Sequence, residues 1–241
     1  MTKPPRILAI AGSDSSGGAG IQADIKTITM LGGFAMTAIT AVTAQNTLGV
    51  TMVEALSPAM VGAQIDACVS DIGVDAVKIG MLGSPAIAAV VAERLEQLAV
   101  PVVFDPVMIA TSGSVLADEA TIAAFERLMR LAALGGAAGM AARGVAYLAK
   151  GGDAEGPEVK DVLVRPGQEP LVWNAPRIVT RHTHGTGCTL SSAIACGLGA
   201  GLDLISAIER GRAFVRAALL AAPGYGAGSG PLGHQAVQSS S

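Results

Sequence analysis

Residues 6–27 read RILAIAGSDSSGGAGIQADIKT, and the order of residue types in that stretch decides the class of fold. A short apolar run ends at Gly12, a glycine- and serine-rich turn follows, and a helical pattern begins at Gly20. A strand that enters a tight turn and then a helix is the first half of a parallel βαβ unit. The apolar run stops after about five residues, too few for the core of a secretion signal. GAGIQA, with Gly18, Gly20 and Ala23, fits a loose GxGxxA dinucleotide pattern. A dinucleotide site would also place an acidic residue at the end of the second strand, which here ends at Gln45-Asn46. A small-ligand loop and a plain tight turn are the readings left.

The same alternation recurs along the chain. AMTAITAVTAQ, AVKIGML, PVVFDPVM and GVAYLAKGG are further strand candidates. Between most of them lie helical patterns at about Gly20–Leu31, Pro58–Asp71, Ser84–Leu98, Asp118–Leu131, Thr189–Leu198 and Leu204–Leu220. Ser57, Ser84 and Asp118 suit N-caps. Continuous apolar strands predict a parallel sheet covered on both faces, whose ligands bind at the carboxyl ends of the strands. Gly12-Ser13-Asp14, Gln45-Asn46, Gly80-Met81, Asp105-Pro106-Val107-Met108 and Lys150-Gly151-Gly152 all fall there, on one rim. Asp161–Val179 reads as an antiparallel hairpin turning at Pro166-Gly167-Gln168, and the tail from about residue 222 to 241 as a loose end of one domain spanning 1–241.

Composition narrows the partners. Of 241 residues 31 are glycine, the net charge is −3, and clustered Lys and Arg are lacking, which argues against nucleic acid. Leu131–Ala149, the most membrane-like window, carries Arg143 and four glycines and does not read as a span. Three scattered cysteines, Cys68, Cys188 and Cys196, suggest neither disulfides nor zinc, and fit a reducing cytoplasm.

The chemistry concentrates in THGTGCT, residues 183–189. Backbone N–H groups of Gly185, Thr186, Gly187 and Cys188 at a helix start would form a nest for an anion, and a helix N-terminus would lower the pKa of Cys188. A glycine-rich turn with a buried cysteine is the alternative. Asp105 suits Mg²⁺ or a capped strand end, and Lys150 suits a nucleotide phosphate or plain solvation. Asp24 in the first turn of its helix can be a simple N-terminal charge. His182 and His184, with one residue between them, suit loop packing better than a metal.

IAGSDSSGGAGIQADIKT, AVTAQNTLGV, KIGML, DPVMIATSG, AKGG and PRIVTRHTHGTGCTLSSAIA together resemble the hydroxymethylpyrimidine/phosphomethylpyrimidine kinases of thiamine biosynthesis, in the ribokinase-like superfamily. The resemblance implies a three-layer αβα fold with a mostly parallel sheet. It implies ATP- and Mg²⁺-dependent phosphorylation of 4-amino-5-hydroxymethyl-2-methylpyrimidine and its monophosphate, and a homodimer. Carried onto matching positions, Gly185, Thr186 and Gly187 form the anion hole and Cys188 is the base. Gly12, Asp24, Gln45, Met81 and Val107 line the pyrimidine pocket. Asp105 organises Mg²⁺, and Lys150 with Thr186 contacts ATP.

Two departures stand out. The family's TPNxxEA strand, whose Asn and Glu arrange Mg²⁺ and ATP, has no match here, and losing a central strand would split the sheet. KGGH is KGGD, with Asp153 in place of histidine. The alternatives are a pyridoxal or pyridoxine kinase, whose substrate is also a flat ring with a hydroxymethyl arm, and a non-catalytic pyrimidine- or nucleotide-binding homologue.

Overall fold

Alternation along buried strands sets the layers. In the computed structural model, which describes residues 3–105, 119–136, 144–152 and 154–237, the chain runs β1 (Arg6–Asp14), α1 (Gly20–Met30), β2 (Phe34–Asn46), β3 (Gly49–Ala55) and α2 (Pro58–Ala67). It continues through β4 (Ala76–Ile79), α3 (Pro85–Leu95), β5 (Val102–Phe104), α4 (Glu119–Leu131), β6 (Leu134–Gly135) and β7 (Tyr147–Ala149). The last elements are β8 (Glu158–Val164), β9 (Leu171–Pro176), α5 (Thr186–Gly199) and α6 (Leu204–Leu220). One sheet results, in the order β3-β2-β1-β4-β5-β6-β7-β8-β9. Its strands from β2 to β7 pair parallel, while β3, β8 and β9 are antiparallel.

Leu8, Ile10, Val77, Ile79 and Phe104 face one way, onto α2, α3 and α4. Their neighbours Ile7, Ala76 and Val103 face the other, onto α1, α5 and α6. Burying each large apolar side chain contributes roughly 1.5–3 kcal/mol, so both faces of the sheet are held with comparable strength. Phe104 meets Phe125 edge to face at 5.5 Å, which ties α4 to the centre of the sheet. The chain steps from β1 outward to β2 and then back across to β4, so a crevice opens beyond the carboxyl ends of β1 and β4.

The local signals act as expected at two helix starts. Ser57 Oγ accepts from the Met60 N–H and Ser84 Oγ from the Ile87 N–H, each followed by proline in the first turn. Asp118 lies outside the described residues. Helix α2 is shorter than its apolar pattern, passing at Cys68–Ile72 into a wider π turn. Helix α5 begins at Thr186 rather than Thr189, because Gly185 turns the chain straight into the helix and the next residues carry no apolar signal. Strand β3 gave no sequence signal: all seven residues are exposed, so there is no buried face to alternate with. The hairpin forms as expected, with the Gln168 N–H closing its turn onto the Arg165 carbonyl.

The sheet does not split where the TPNxxEA strand is lacking. Two residues, Leu134 and Gly135, occupy its place: Leu134 pairs with Val103, and the Gly135 N–H donates to the Ala146 carbonyl at 3.0 Å. That restores the ladder with the least chain that can do so.

The tail also departs from the loose end expected of it. Leu232 and His234 are 2% and 1% exposed, and the His234 Nε2 lies 2.8 Å from the Thr189 Oγ1 on α5. Its glycines let the chain lie close to Thr47, His182 and Ala221, and the two buried side chains supply the burial that holds it. Burial, then the charge of Lys26, pushes the His234 imidazole down to about 4, while its Nδ1 has no partner. The unfolded chain therefore takes up the proton first, and stability present above about pH 6.5 is lost as pH falls toward 4. The unfolding midpoint is expected to drop across this window in the wild type and to drop less steeply in His234→Gln. Parallel midpoint-against-pH curves for the two proteins would refute this.

Candidate functional site

Two helix N-termini and several strand ends meet at the crevice. Gly185, the N-cap of α5, has φ +89°, and a Cβ built on it would collide with the Gly18 carbonyl. Only glycine allows both the left-handed turn and this approach. The Thr186 N–H donates to the Thr183 carbonyl, whereas the N–H groups of Gly187 and Cys188, next in the first turn, have no i−4 acceptor within the helix. The first turn of a 14-residue helix is thus open to an anion. Gly20 starts α1 with φ +56° against the Gly12 carbonyl, and its backbone amide acts to lower the Cys188 thiol.

Beside this turn Lys150 Nζ lies 2.8 Å from Asp105 Oδ1, at the ends of β7 and β5. Gly187 has no side chain where one would stand 3.3 Å from Asp105 Oδ2 and 3.5 Å from Lys150 Nζ. A small cavity of about 20 Å³ runs between Asp105, Lys150, Gly136, Gly187 and Ser191, room for roughly one water. Among the described residues no three His, Cys, Asp or Glu side chains cluster as a metal site. Asp105 is a lone carboxylate, which suits Mg²⁺ completed by phosphate oxygens and water.

A second constellation ties the β1 turn to α5. Asp14 Oδ1 accepts from the Ser16 N–H and Oγ, and Oδ2 accepts from Gly18 and Ala19 N–H groups and sits 2.8 Å from His184 Nε2. Burial alone would raise the Asp14 carboxyl, but the hydrogen bonds from His184, Ser16 and Ala19 outweigh it and hold it well below the usual range. Gln45 Nε2 stands 3.4 Å from the same His184 nitrogen, and the Thr43 hydroxyl donates to Gln45 Oε1. Met81 covers Gly12, where a Cβ would meet its terminal methyl. Gly12, Gln45 and Met81 therefore border one crevice with His184.

Several expectations change. Asp24 cannot line a pocket: its side chain is 0% exposed, held by Lys78 Nζ at 2.9 Å and the Ser192 hydroxyl at 2.7 Å. The thiol of Cys188 is not lowered by the helix terminus. Burial pushes it up, the Lys78 charge opposes this, and the Asp24 and Asp105 carboxylates reinforce it. Val107 and Asp153 lie outside the described residues. Lys78 escaped the sequence reading, although a lysine inside the apolar strand AVKI can only be buried with a partner. His184 was read as packing, and the spacing of the histidines carries no trace of Asp14.

The sequence profile described as phosphomethylpyrimidine kinase matches residues 14–135 and 137–233. A hydroxymethylpyrimidine/phosphomethylpyrimidine kinase of Rhizobium meliloti (strain 1021) is 44% identical over 255 aligned positions, covering 94% of this chain and 96% of that protein. Its counterpart in Streptomyces coelicolor is 41% identical, covering 96% and 94%. Among solved structures, Staphylococcus aureus pyridoxal kinase in complex with AMP-PCP superposes with a TM-score of 0.87 at 28% identity, covering 98% and 95%. A phosphomethylpyrimidine kinase from Clostridium difficile gives 0.72 at 35% identity, covering 88% and 97%.

Gly185→Ala tests the approach to Gly18. Left-handed strain and the collision together should cost at least about 1–3 kcal/mol and misplace the first turn of α5. We expect a lower unfolding midpoint and a more than tenfold loss of turnover; wild-type values for both would show that the approach is dispensable.

Proposed function

The chain belongs to the phosphomethylpyrimidine kinase family, and on that premise we propose how this crevice performs the reaction of a hydroxymethylpyrimidine/phosphomethylpyrimidine kinase of thiamine biosynthesis. Identities of 41–44% to such kinases, against 28% to the pyridoxal kinase that superposes so well, favour the pyrimidine over pyridoxal as substrate.

The observation that carries the reading is the open first turn of α5, with Cys188 on one side and the Asp105–Lys150 pair on the other. The hydroxymethyl group of the pyrimidine lies toward Cys188, with Gly12, Gln45 and Met81 around the ring. The Cys188 sulfur accepts the hydroxyl proton as the oxygen attacks the γ-phosphorus of ATP and the bond from that phosphorus to the β,γ-bridging oxygen breaks, releasing ADP. The N–H groups of Gly187 and Cys188 receive the charge on the transferring group, and Thr186 and Lys150 hold the nucleotide phosphates. Asp105 would hold Mg²⁺, which supplies neutralisation of phosphate charge when bound. We place the protein in the cytoplasm, which its free cysteines suit. Among the described residues no helix is long and apolar enough to cross a membrane. We read the protein as a homodimer, supported by the exposed Leu48, Val50, Met52 and Val53 on and beside edge strand β3.

ADP formation with the pyrimidine, its monophosphate and pyridoxal offered separately tests the substrate. Turnover selective for the pyrimidines is expected, and ligand binding without turnover would leave a binding protein. Cys188→Ala should lose about 10²–10⁴-fold in kcat while still binding ATP, and unchanged kcat would remove Cys188 from the mechanism. A base must be deprotonated to act, and burial raises this thiol, so kcat/KM should climb with pH through the alkaline range. A profile flat above neutrality would contradict that.

A further inference from the structure

Helices α1 and α5 bring equivalent turns together. At the mouth, the Gly20 backbone amide favours the charged form of the Cys188 sulfur. Four residues further along each helix, and hence on the same faces, Asp24 and Ser192 meet, with the Ser192 hydroxyl donating to Asp24 Oδ1 at 2.7 Å. Lys78 reaches this point from the middle of β4, 2.9 Å from both Asp24 oxygens. Lys78, Asp24 and Ser192 are all 0% exposed. Gly80, two residues on and facing the same way, leaves the ammonium room: a Cβ there would stand 2.9 Å from Nζ.

Stability does not explain such a pair. Desolvating both ions costs about what their attraction returns, and apolar replacements are often neutral or stabilising. The place of the pair, one turn beneath Cys188, gives it a task. We propose that Lys78, held by Asp24, is a positioning residue that supplies the buried positive charge against which the Cys188 sulfur can become a thiolate. The proposal rests on Cys188 being the base. The charged groups that act on its sulfur are Lys78 from β4, Asp24 from α1 and Asp105 from the end of β5, and Asp105 is itself paired with Lys150. With both pairs intact the surroundings are neutral. Removing the Lys78 charge leaves the Asp24 carboxylate uncompensated beneath the thiol. Burial would lower the Lys78 ammonium, but Asp24 overrides it and keeps the charge in place.

The test is the rate at which iodoacetamide alkylates Cys188, resolved from Cys68 and Cys196 by peptide mass spectrometry and followed against pH without substrate. Wild type, Lys78→Met and the double variant Asp24→Asn/Lys78→Met are compared. The double variant removes both charges, leaves no buried ion unpaired, and carries the test should the single variant not fold. Removing Lys78 alone leaves the Asp24 carboxylate uncompensated beneath the sulfur, whereas removing both charges leaves no net charge there, so the alkylation midpoint should lie highest in Lys78→Met, below it in the double variant, and no higher than that in wild type. At least one pH unit should separate the extremes, with the rising limb of kcat moved by the same amount. Unchanged alkylation profiles, or any other order, would overturn the proposal. Turnover by Cys188→Ala would instead overturn the role of Cys188, which the alkylation profile does not depend on.

Discussion

The approach of Gly185 to the Gly18 carbonyl is the constraint on which the site depends. Residues far apart in sequence come so near that a Cβ on Gly185 would collide with the Gly18 backbone, while one on Gly18 would meet the His184 ring. That contact brings the first turn of α5 up to the first turn of α1, so that one sulfur, two helix termini and the rim of β1 share a crevice. The Asp14–His184 pair at 2.8 Å fastens the same two loops from the solvent side. The Asp24–Ser192 hydrogen bond fastens the two helices from beneath. The first turns of α1 and α5 are therefore placed by one junction.

The family's metal-arranging segment is absent, yet the junction is unaffected, because β6 needs only Leu134 and Gly135 to join β5 to β7. The alignment with the Rhizobium kinase runs to 255 positions, longer than the 241 residues of this chain, so that relative carries residues this one lacks. The profile match breaks at residue 136, immediately after β6 and beside Asp105.

The parallel strands, the helices and the rim were legible because buried apolar runs alternate with amphipathic ones, and ligand residues in such sheets sit at strand ends. Cys188, Lys150 and Asp105 could be placed on those grounds. What stayed hidden had no local signature. Strand β3 buries nothing, and β6 is too short for any period. Asp24 looked like a helix-start charge because its partner Lys78 is 54 positions away. The thiol of Cys188 was expected to fall because a helix terminus is visible in sequence, whereas its burial is not.

Strand β6 has a mechanical consequence. Among the described residues it joins the sheet through very few backbone hydrogen bonds, whereas β1 and β2 are zipped along most of their length. The sheet is therefore two well-knit plates joined by a narrow seam, one carrying Gly12, Gln45 and Met81, the other Lys150 and the β8–β9 hairpin. Regions with few buried hydrogen bonds open first. Helix α5 shares a core with side chains of both plates, Ile7 and Val103 on one and Leu148 and Leu163 on the other, and so braces the seam.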